Sequence, residues 1–317
     1  ARVHEAAAKR AQAAVFAQSA DARDRDVLTA VRKAWLDVYF AEQAATLVNE
    51  SRPFFDDLVT ITRSLYSVGR KSQHDVLRAE LELSRLDDQL IETDRARAEA
   101  QAVLSRWLGE DAYRPIAASL PASSELPALA DLHVGLATHP LLAASDAGVS
   151  AKEAAVRIAE DKKKPGWALD VGYGYRKGLL PNGDPRSDFV SLSVTVELPF
   201  FGENRQDRKL AAALSERRAA RNSQAELRAR LASELDAEYA RWTDLTRRLA
   251  LYESRILDQS SSQAQAALLA YQSDAGAFSD VMRARIDDLN TRLEHIRLQV
   301  ERAQSHAVLA SLGDIES

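Results

Sequence analysis

The chain contains one long helical pattern twice. Residues 66–104 recur without a gap as residues 271–309, at an offset of 205 positions (271 − 66 = 205). The identical positions in the two copies are Tyr66/Tyr271, Asp75/Asp280, Val76/Val281, Arg78/Arg283, Ala79/Ala284, Ile91/Ile296, Arg97/Arg302, Ala98/Ala303, Ala102/Ala307, Val103/Val308 and Leu104/Leu309. Two short segments of alternating apolar and polar residues lie between the copies. A helical unit used twice around a strand pair is a rare arrangement, so it restricts the fold more than composition does.

The composition favours long helices and excludes several function classes. Gly and Pro are scarce, at 12 and 9 of 317 residues, as expected where helices run far without interruption. The net charge of −5 is mild, so the sequence predicts no nucleic-acid partner. The absence of cysteine excludes thiol catalysis and disulfides. The sequence contains no Gly-rich phosphate loop and no nucleophile elbow, so it predicts neither an enzyme nor a cofactor.

The histidines do not have the spacing of a metal site. None of the six pairs with another at i, i+4 on one helical face. A stable site needs three or four converging ligands. We therefore predict no bound metal.

Apolar residues at helical spacing predict a helical hairpin in each copy. In the first copy the apolar seam is spaced 3, 4, 3 and 4 residues, as in a coiled-coil pair. Its members are Val76, Ala79, Leu83, Leu86 and Leu90. Pro53 predicts a bend or break in the preceding helix, and Gly109 predicts the end of the returning one. Arms this long cannot bury their own apolar stripes, so we expect them to pack against the other hairpin or other protomers.

Two segments alternate with the two-residue period of β-strands. Their apolar positions share one face, which we predict to face the membrane. These residues are Trp167, Leu169, Val171, Tyr173, Tyr175, Val190, Leu192, Val194, Val196 and Leu198. Alternation alone favours the sheet of a soluble protein, where such strands are common. However, an isolated two-stranded hairpin is marginal in water and the flanking helices offer no sheet to join, so the context favours an outer-membrane barrel.

The order of these elements resembles one protein family. A helical hairpin, a proline-containing connector, a helix, a β-hairpin and a second helical hairpin follow one another. The first tip carries Tyr66-Ser67-Val68-Gly69 and then Asp75-Val76-Leu77. This layout resembles the TolC family of outer-membrane efflux channels over essentially the whole chain. The segments His139-Pro140-Leu141 and Leu198-Pro199-Phe200-Phe201-Gly202 look closest to the outer-membrane components of heavy-metal RND tripartite efflux systems.

The resemblance implies a mainly α fold. Long coiled-coil-like helical hairpins in two repeats would each form a stave of an α-barrel, with a β-hairpin of an outer-membrane β-barrel. Family members form homotrimers, in which each protomer gives four strands to a shared barrel of twelve and its helices to a periplasmic tunnel. They act as passive exit ducts together with a periplasmic adaptor (membrane fusion) protein and an inner-membrane pump, here expected to be of the RND type. The implied location is the outer membrane of a Gram-negative bacterium, in contact with its lipid, with a large periplasmic part.

The resemblance divides the chain into five segments. These are a first helical-hairpin repeat at 1–109, a connector or equatorial segment at 110–140, a helix leading to the membrane at 141–165, a transmembrane β-hairpin at 166–201 and a second helical-hairpin repeat at 202–317. A family member has a β-hairpin in each repeat, whereas this sequence has only the second. We therefore expect a further helix and hairpin before Ala1, because two strands per protomer could not close the barrel of a trimer.

The resemblance places a gate at the periplasmic hairpin tips. It implies a tyrosine, an aspartate and an arginine in each copy, namely Tyr66, Asp75, Arg78, Tyr271, Asp280 and Arg283. In a trimer each aspartate becomes part of a ring of three carboxylates, which favours cations. Such a ring can close through ion pairs with Arg70, Lys71, Arg78 or Arg283. The family has a second aspartate where this chain has arginine, so we expect a local Asp–Arg clasp instead of a double acidic ring. Alternatively, the two aspartates only cap the returning helices.

The residues of the two tips are also the expected adaptor contacts. They are Val68, Gly69, Arg70, Lys71, Ser273, Asp274, Ala275 and Gly276. A simpler interpretation is that each hairpin needs a turn, which glycine supplies, and the adaptor role rests on the resemblance alone. A second class of function also stays open, namely a periplasmic adaptor or a coiled-coil scaffold without a channel. Adaptors usually have one helical hairpin, whereas this chain has two with the strand pair between them.

Overall fold

The computed structural model describes residues 2–117, 119–120, 126–181, 183–197 and 205–313. In chain order the elements are α1 (Arg2–Ser67), α2 (Gln73–Leu108), a 3₁₀ turn (Gly109–Tyr113), α3 (Leu129–Leu136), α4 (Pro140–Asp161), β1 (Gly166–Gly174), β2 (Phe189–Glu197), α5 (Gln206–Leu251), a π turn (Tyr252–Ile256), α6 (Leu257–Gln272) and α7 (Phe278–Gly313). The mainly α fold with helical hairpins and one β-hairpin, expected from the sequence, is confirmed. Among the described helices, none has the length and apolar character needed to cross a membrane.

The chain forms two compact units, which are described separately. Unit 1 comprises Ala1–Ala22 and Pro140–Arg230, and unit 2 comprises Arg23–His139 and Leu231–Ser317. Both hairpin tips belong to unit 2, and the β-hairpin belongs to unit 1. The five segments expected from the sequence stay a proposal.

The sequence repeat is also a structural repeat. Helices α2 and α7 both have 36 residues, and their first residues are 205 positions apart (278 − 73 = 205). Gly109 follows the last residue of α2 with φ 59°, and its N–H donates to the carbonyl of Ser105. Glycine adopts a positive φ without a steric penalty, so the predicted end of α2 is confirmed.

The core of unit 2 joins both helical hairpins near their tips. Its buried members are Val48, Phe55, Leu58, Val59, Ala79, Leu86, Tyr271, Phe278, Val281, Met282 and Leu289. The seam predicted for α2 faces this core, because Val76, Ala79 and Leu86 are buried and Leu83 and Leu90 are half-buried. Full burial of one such aliphatic side chain contributes about 2 kcal/mol. The second hairpin therefore covers the stripe that the first cannot bury alone.

Helix α1 does not break at Pro53. The helix is continuous from Arg2 to Ser67 with Pro53 inside it, so the predicted break is wrong. Proline removes one N–H and leaves the carbonyl four residues earlier, that of Asn49, without its helical partner. Both Pro53 and Asn49 are exposed. Water can therefore hydrate this carbonyl, and the helix continues.

In unit 1, α4 and α5 run antiparallel and are joined by ion pairs. The Nζ of Lys152 lies 3.0 Å from the carboxylate of Glu216, and the Nζ of Lys163 lies 2.6 Å from that of Asp207. Lys163 lies two residues past the end of α4, and its partner comes earlier in α5 than that of Lys152, as an antiparallel arrangement requires. Exposed pairs of this kind each contribute about 0–1 kcal/mol, so they set the alignment more than the stability.

β1 begins and ends one residue earlier than the alternating segment from Trp167 to Tyr175, and β2 begins one residue before Val190. The strands are antiparallel, and the register runs from Gly166↔Glu197 to Gly174↔Phe189. Tyr175 therefore lies beyond β1, and Leu198, Phe200 and Phe201 lie outside the described residues. The predicted apolar face forms within the strands, where Trp167 is 77 % exposed and Val190 is 73 % exposed. No described element of the chain buries this face.

Candidate functional site at the hairpin tips

The first tip is closed by two backbone hydrogen bonds. The N–H of Gly69 donates to the carbonyl of Tyr66 at 3.0 Å, and the N–H of Arg70 donates to the carbonyl of Leu65 at 2.9 Å. Gly69 has φ 72°. This combination is the Schellman pattern, in which a left-handed residue ends the helix.

The second tip has the same backbone pattern, with aspartate in the position of glycine. The N–H of Asp274 donates to the carbonyl of Tyr271 at 3.2 Å, and that of Ala275 donates to the carbonyl of Ala270 at 2.8 Å. Asp274 is the counterpart of Gly69 at the repeat offset (274 − 69 = 205). The two turns are therefore equivalent in backbone but not in side chain.

Asp274 is the left-handed residue of the second turn. Its φ is 60°, and it is the sole non-glycine residue with positive φ in the described part of the chain. Aspartate adopts this region at a cost of about 1–2 kcal/mol. Gly276, expected to help the chain turn, has no positive φ. The tip thus retains the carboxylate of Asp274 although glycine would adopt this backbone conformation more easily.

The carboxylate of Asp274 pairs with two cations of the first tip. It accepts a hydrogen bond from the guanidinium of Arg70, and the Nζ of Lys71 lies 3.0 Å from its Oδ1. We call Arg70, Lys71 and Asp274 the tip clasp. The hydrogen bond from Arg70, followed by that from Lys71, holds the pKa of Asp274 below its usual value. The carboxylate is therefore charged at neutral pH, and the clasp joins the tips of the two hairpins.

Tyr271 lies beside the clasp and is buried, at 1 % exposure. The Nζ of Lys71 lies 4.5 Å from the centroid of its ring, and the ring of Phe278 meets it edge-on at 5.6 Å. Its hydroxyl has no hydrogen-bond partner within the described residues. Burial, and then the charges of Asp75 and Asp274, raise the pKa of Tyr271 to about 12. The phenol therefore stays neutral at physiological pH.

Tyr66, the counterpart of Tyr271, is in a different environment. It is 48 % exposed, whereas Tyr271 is 1 % exposed. The sequence assigns the same gate role to both tyrosines. The structure places only Tyr271 between the two hairpins, so the two copies of the motif are not equivalent.

Asp75 and Asp280 lie in the first turns of the returning helices, but they are not the capping residues. Ser72 is the N-cap of α2, and its Oγ accepts from the N–H of Asp75 at 3.3 Å. In α7 the N–H of Asp280 donates to the carbonyl of Ala277 at 3.1 Å. Each aspartate is thus the third residue of its helix, where the helix dipole favours a negative charge. The interpretation that Asp75 caps α2 is wrong, because Ser72 is the N-cap of that helix.

Within one chain, no ion pair joins Asp75 to Arg78 or Asp280 to Arg283, so the expected Asp–Arg clasp stays a prediction. Arg78 and Arg283 are exposed, and neither makes an ion pair with any residue that the structure describes. Asp75 is half-buried and close enough to Tyr271 to raise the pKa of the phenol. The arginine three positions later extends into solvent instead. Arg70 and Lys71 do pair with an acid, but that acid is Asp274, which the sequence interpretation placed among the adaptor contacts.

The family model described as outer membrane efflux protein matches residues 132–313, more than half of the chain. The chain belongs to the outer membrane efflux protein family. The resemblance noted from the sequence is therefore confirmed, and membership of this family places the chain in the outer membrane.

Individual relatives of this outer membrane efflux protein support the same fold. Protein CyaE of Bordetella pertussis is 28 % identical over 323 residues, which cover 97 % of this chain and 66 % of that protein. The outer-membrane channel OprN has a TM-score of 0.86 at 18 % identity, over 98 % of this chain and 71 % of that one. CusC, whose structures concern transmembrane channel formation, has a TM-score of 0.87 at 16 % identity, over 98 % and 73 %. This chain thus spans about two thirds of CyaE.

The remaining tip residues of this family member present an exposed surface. Val68 is 67 % exposed, and Gly69, Ser273 and Ala275 are also exposed. Among the described residues, no three His, Cys, Asp or Glu side chains are grouped as a metal site requires. The chemistry available at the tips is therefore ionic pairing and hydrogen bonding between helical hairpins.

Proposed function

We propose that the chain is a subunit of a homotrimeric outer-membrane channel. It would serve as the passive exit duct of a tripartite efflux pump, with a periplasmic adaptor protein and an inner-membrane pump of the RND type as partners. Family membership supports this role, and so does the exposed apolar face of the strands, which suits contact with outer-membrane lipid. A conduit needs no catalytic residues, and we assign none.

The tip clasp carries the gating part of the proposal. The ion pairs from Asp274 to Arg70 and Lys71 link the second tip loop directly to the first. Because both tips lie on long arms, a cross-link at their ends restrains their separation. We infer that the closed gate keeps this clasp and that opening breaks it.

Tyr271 adds an apolar component to the same restraint. Its buried ring lies under the ammonium of Lys71 and against Phe278, and a cation over an aromatic ring contributes about 0.5–2 kcal/mol. Lys71 thus binds Asp274 through its charge and Tyr271 through the ring face. Separation of the tips would expose Tyr271 to water, so burial of the ring opposes opening.

Asp75 and Asp280 supply a second proposed element of the gate. In a trimer each would form a ring of three carboxylates at the periplasmic mouth, where a ring of negative charge favours cations over anions. Arg78 and Arg283 are exposed, so they are available to bridge to a neighbouring protomer. The exposed tip residues around Val68 and Ala275 are proposed as the adaptor contacts.

The alternative of an adaptor or scaffold without a channel has less support. The family match includes both strands and the whole second hairpin. A scaffold in water would also have to leave the apolar face of the strands unburied, and exposed apolar patches mark interaction surfaces or membranes. The channel therefore accounts for more of the structure.

Replacement of Asp274 by Asn tests the gate. Asn tolerates the left-handed backbone conformation but carries no charge, so the ion pairs to Arg70 and Lys71 are lost while the turn is kept. We expect the single-channel conductance of the protein in planar bilayers to rise severalfold. Asp287→Asn is the matched control, because Asp287 is an exposed residue of the same hairpin, and it should leave the conductance unchanged. An Asp274→Asn channel that conducts like the wild type would refute the clasp as gate.

A further inference from the structure

The loop between the two strands, described at residues 175–181 and 183–188, has a backbone structure of its own. Leu179 and Pro185 form an antiparallel bridge. The N–H of Leu180 donates to the carbonyl of Asp184 at 2.7 Å, and that of Arg186 donates to the carbonyl of Gly178 at 3.1 Å. The loop therefore folds back on itself as a small second hairpin.

This folded loop lines an open surface cavity of about 480 Å³. Its lining residues are Tyr175, Arg176, Lys177, Gly178, Leu179, Pro185, Arg186 and Asp188. Three of these side chains are cationic and one is anionic. The volume is sufficient for one or two phosphate groups with the sugar that carries them.

The single carboxylate of the lining is already engaged. Asp188 accepts hydrogen bonds from the hydroxyl of Tyr173 and from the backbone N–H of Arg176, the latter at 3.1 Å. By contrast, the charged groups of Lys177 and Arg186 are exposed and make no ion pair within the described part of the chain. The cavity therefore offers unpaired positive charge, while its single carboxylate is held by hydrogen bonds at the edge of the strands.

Arg176 is the third cation, and its position is fixed by the neighbouring strand. The central carbon of its guanidinium lies 4.5 Å from the centroid of the ring of Phe189, the first residue of β2. A guanidinium that stacks on an aromatic ring keeps its five donors available for an anion. Arginine held in this way is suited to bidentate binding of phosphate.

The cavity adjoins the apolar face of the strands. Tyr173 and Tyr175 are 68 % and 67 % exposed at this end of the hairpin. A molecule that fills the cavity would thus have its anionic part between the cations and could lay an apolar part along the strands. A lipid with a phosphorylated head and acyl chains would match both the cations of the cavity and the apolar face of the strands.

We propose that the loop cavity binds the phosphate groups of a phosphorylated glycolipid in the outer leaflet of the outer membrane. The inference rests on the proposed function: α4 and α5 join the strands at the opposite end, so a hairpin that crosses the membrane carries this loop to the outer surface. Lysine and arginine at a membrane surface each strengthen binding to anionic lipid. The bound lipid would hold the strand pair at a fixed depth.

Lipid A with two phosphates is the probe for this site. Fluorescent lipid A is titrated into the detergent-solubilised full chain and into a Lys177→Gln, Arg186→Gln double variant. We expect the loss of two cations to weaken binding at least about tenfold. The control is Lys162→Gln with Lys164→Gln, which removes the same charge at the helical end of β1 and should leave the affinity unchanged.

Three results would overturn the inference. The first is an equal loss of affinity in both double variants, which indicates general charge attraction. The second is equally tight binding of phosphatidylglycerol at matched charge, and the third is displacement of lipid A by an equal concentration of inorganic phosphate, which indicates a free-phosphate site. Bilayer conductance separates the two proposals: a wild-type protein that conducts normally but does not bind lipid A leaves the channel intact and overturns only the lipid site.

Discussion

At the scale of residues, the proposed gate rests on one difference between the two copies of the repeat. Gly69 and Asp274 occupy the same left-handed position of the same turn, and only Asp274 has a side chain that reaches the other tip. The turn would form more easily with glycine. Backbone strain at a position that joins two elements is typical of sites where function outweighs stability.

Replacement of Asp274 by Gly should separate these two effects. Glycine removes the backbone cost of the left-handed conformation, about 1 kcal/mol, but it also removes the ion pairs. We expect the melting temperature of the protein to stay the same or rise while the conductance rises as for Asp274→Asn. A lower melting temperature with an unchanged conductance would contradict this expectation, because it would mean that the clasp mainly stabilises the fold.

Tyr271 predicts a response to alkaline pH. Its folded-state pKa is raised to about 12, whereas that of an unfolded tyrosine is about 10. Between these values the folded protein retains a proton that the unfolded chain releases, so the free energy of unfolding falls as pH rises from about 10 to about 12. Urea unfolding of the wild type should show this loss, and Tyr271→Phe should reduce it.

Tyr66→Phe is the control for that measurement, because Tyr66 is half exposed and its replacement should leave the alkaline loss of stability in place.

At pH 7 we also expect Tyr271→Phe to change the free energy of unfolding by less than about 0.5 kcal/mol, since the hydroxyl of Tyr271 has no partner among the described residues to lose. A loss above about 1 kcal/mol at pH 7 would show that the hydroxyl is hydrogen-bonded in solution.

The sequence could indicate which residues meet at the tips, but not how they pair. Arg70 and Lys71 were expected to bind an acid, and the shared aspartates Asp75 and Asp280 were the obvious candidates. Asp274 was assigned to the adaptor contacts instead, because an aspartate in a turn is ordinary chemistry. The available signal was its alignment with Gly69, which marks a position where a side chain has a backbone cost.

At the scale of elements, α3 packs on α7 through two glycines. A Cβ on Gly135 would lie 2.0 Å from the carbonyl oxygen of Gly313, and one on Gly313 would lie 2.5 Å from a methyl group of Leu132. Neither backbone can approach so closely with any larger residue. The two glycines therefore permit the close packing of α3 against the end of α7.

Gly135→Ala should destabilise the protein by about 1–3 kcal/mol, as expected when an added methyl group meets backbone atoms that cannot move aside. Gly148→Ala in α4 is the matched control, because nothing lies within 4 Å of its Cβ position. Alanine is the better helix former, so this change should stabilise by about 0.5–1 kcal/mol. Chemical unfolding of the two variants should give shifts of opposite sign, and a neutral Gly135→Ala would contradict the close contact.

The helices were predictable because their apolar spacing is long and regular, whereas local departures from regularity were not. The second helical hairpin contains the π turn at Tyr252–Ile256, while the counterpart region of α1 is regular helix. Leu245, Leu249, Tyr252 and Ile256 keep a regular helical spacing of 4, 3 and 4 residues across this turn, so residue spacing alone does not reveal it. The end of β1 was wrong by one residue for a similar reason, since the alternation continues to Tyr175 although the last paired residue is Gly174.

At the scale of the whole molecule, the proposed trimer predicts charge selectivity. Rings of Asp75 and Asp280 at the mouth would attract cations and repel anions. The double replacement Asp75→Asn, Asp280→Asn should lower the cation-to-anion permeability ratio severalfold, as measured by reversal potentials in a salt gradient. Asp88→Asn with Asp287→Asn provides a control of equal charge at exposed positions further along the same helices. Equal effects of the two double variants would argue against rings at the mouth.

The unequal burial of Tyr66 and Tyr271 has a consequence for stoichiometry. In a trimer six tips would surround one axis, three with an exposed tyrosine and three with a buried one, in alternation. A ring of six identical partner subunits would then meet two kinds of binding site and would have to adopt two conformations. A partner that binds only one kind would stop at three copies, so counting the bound partner subunits would reveal which tip they recognise.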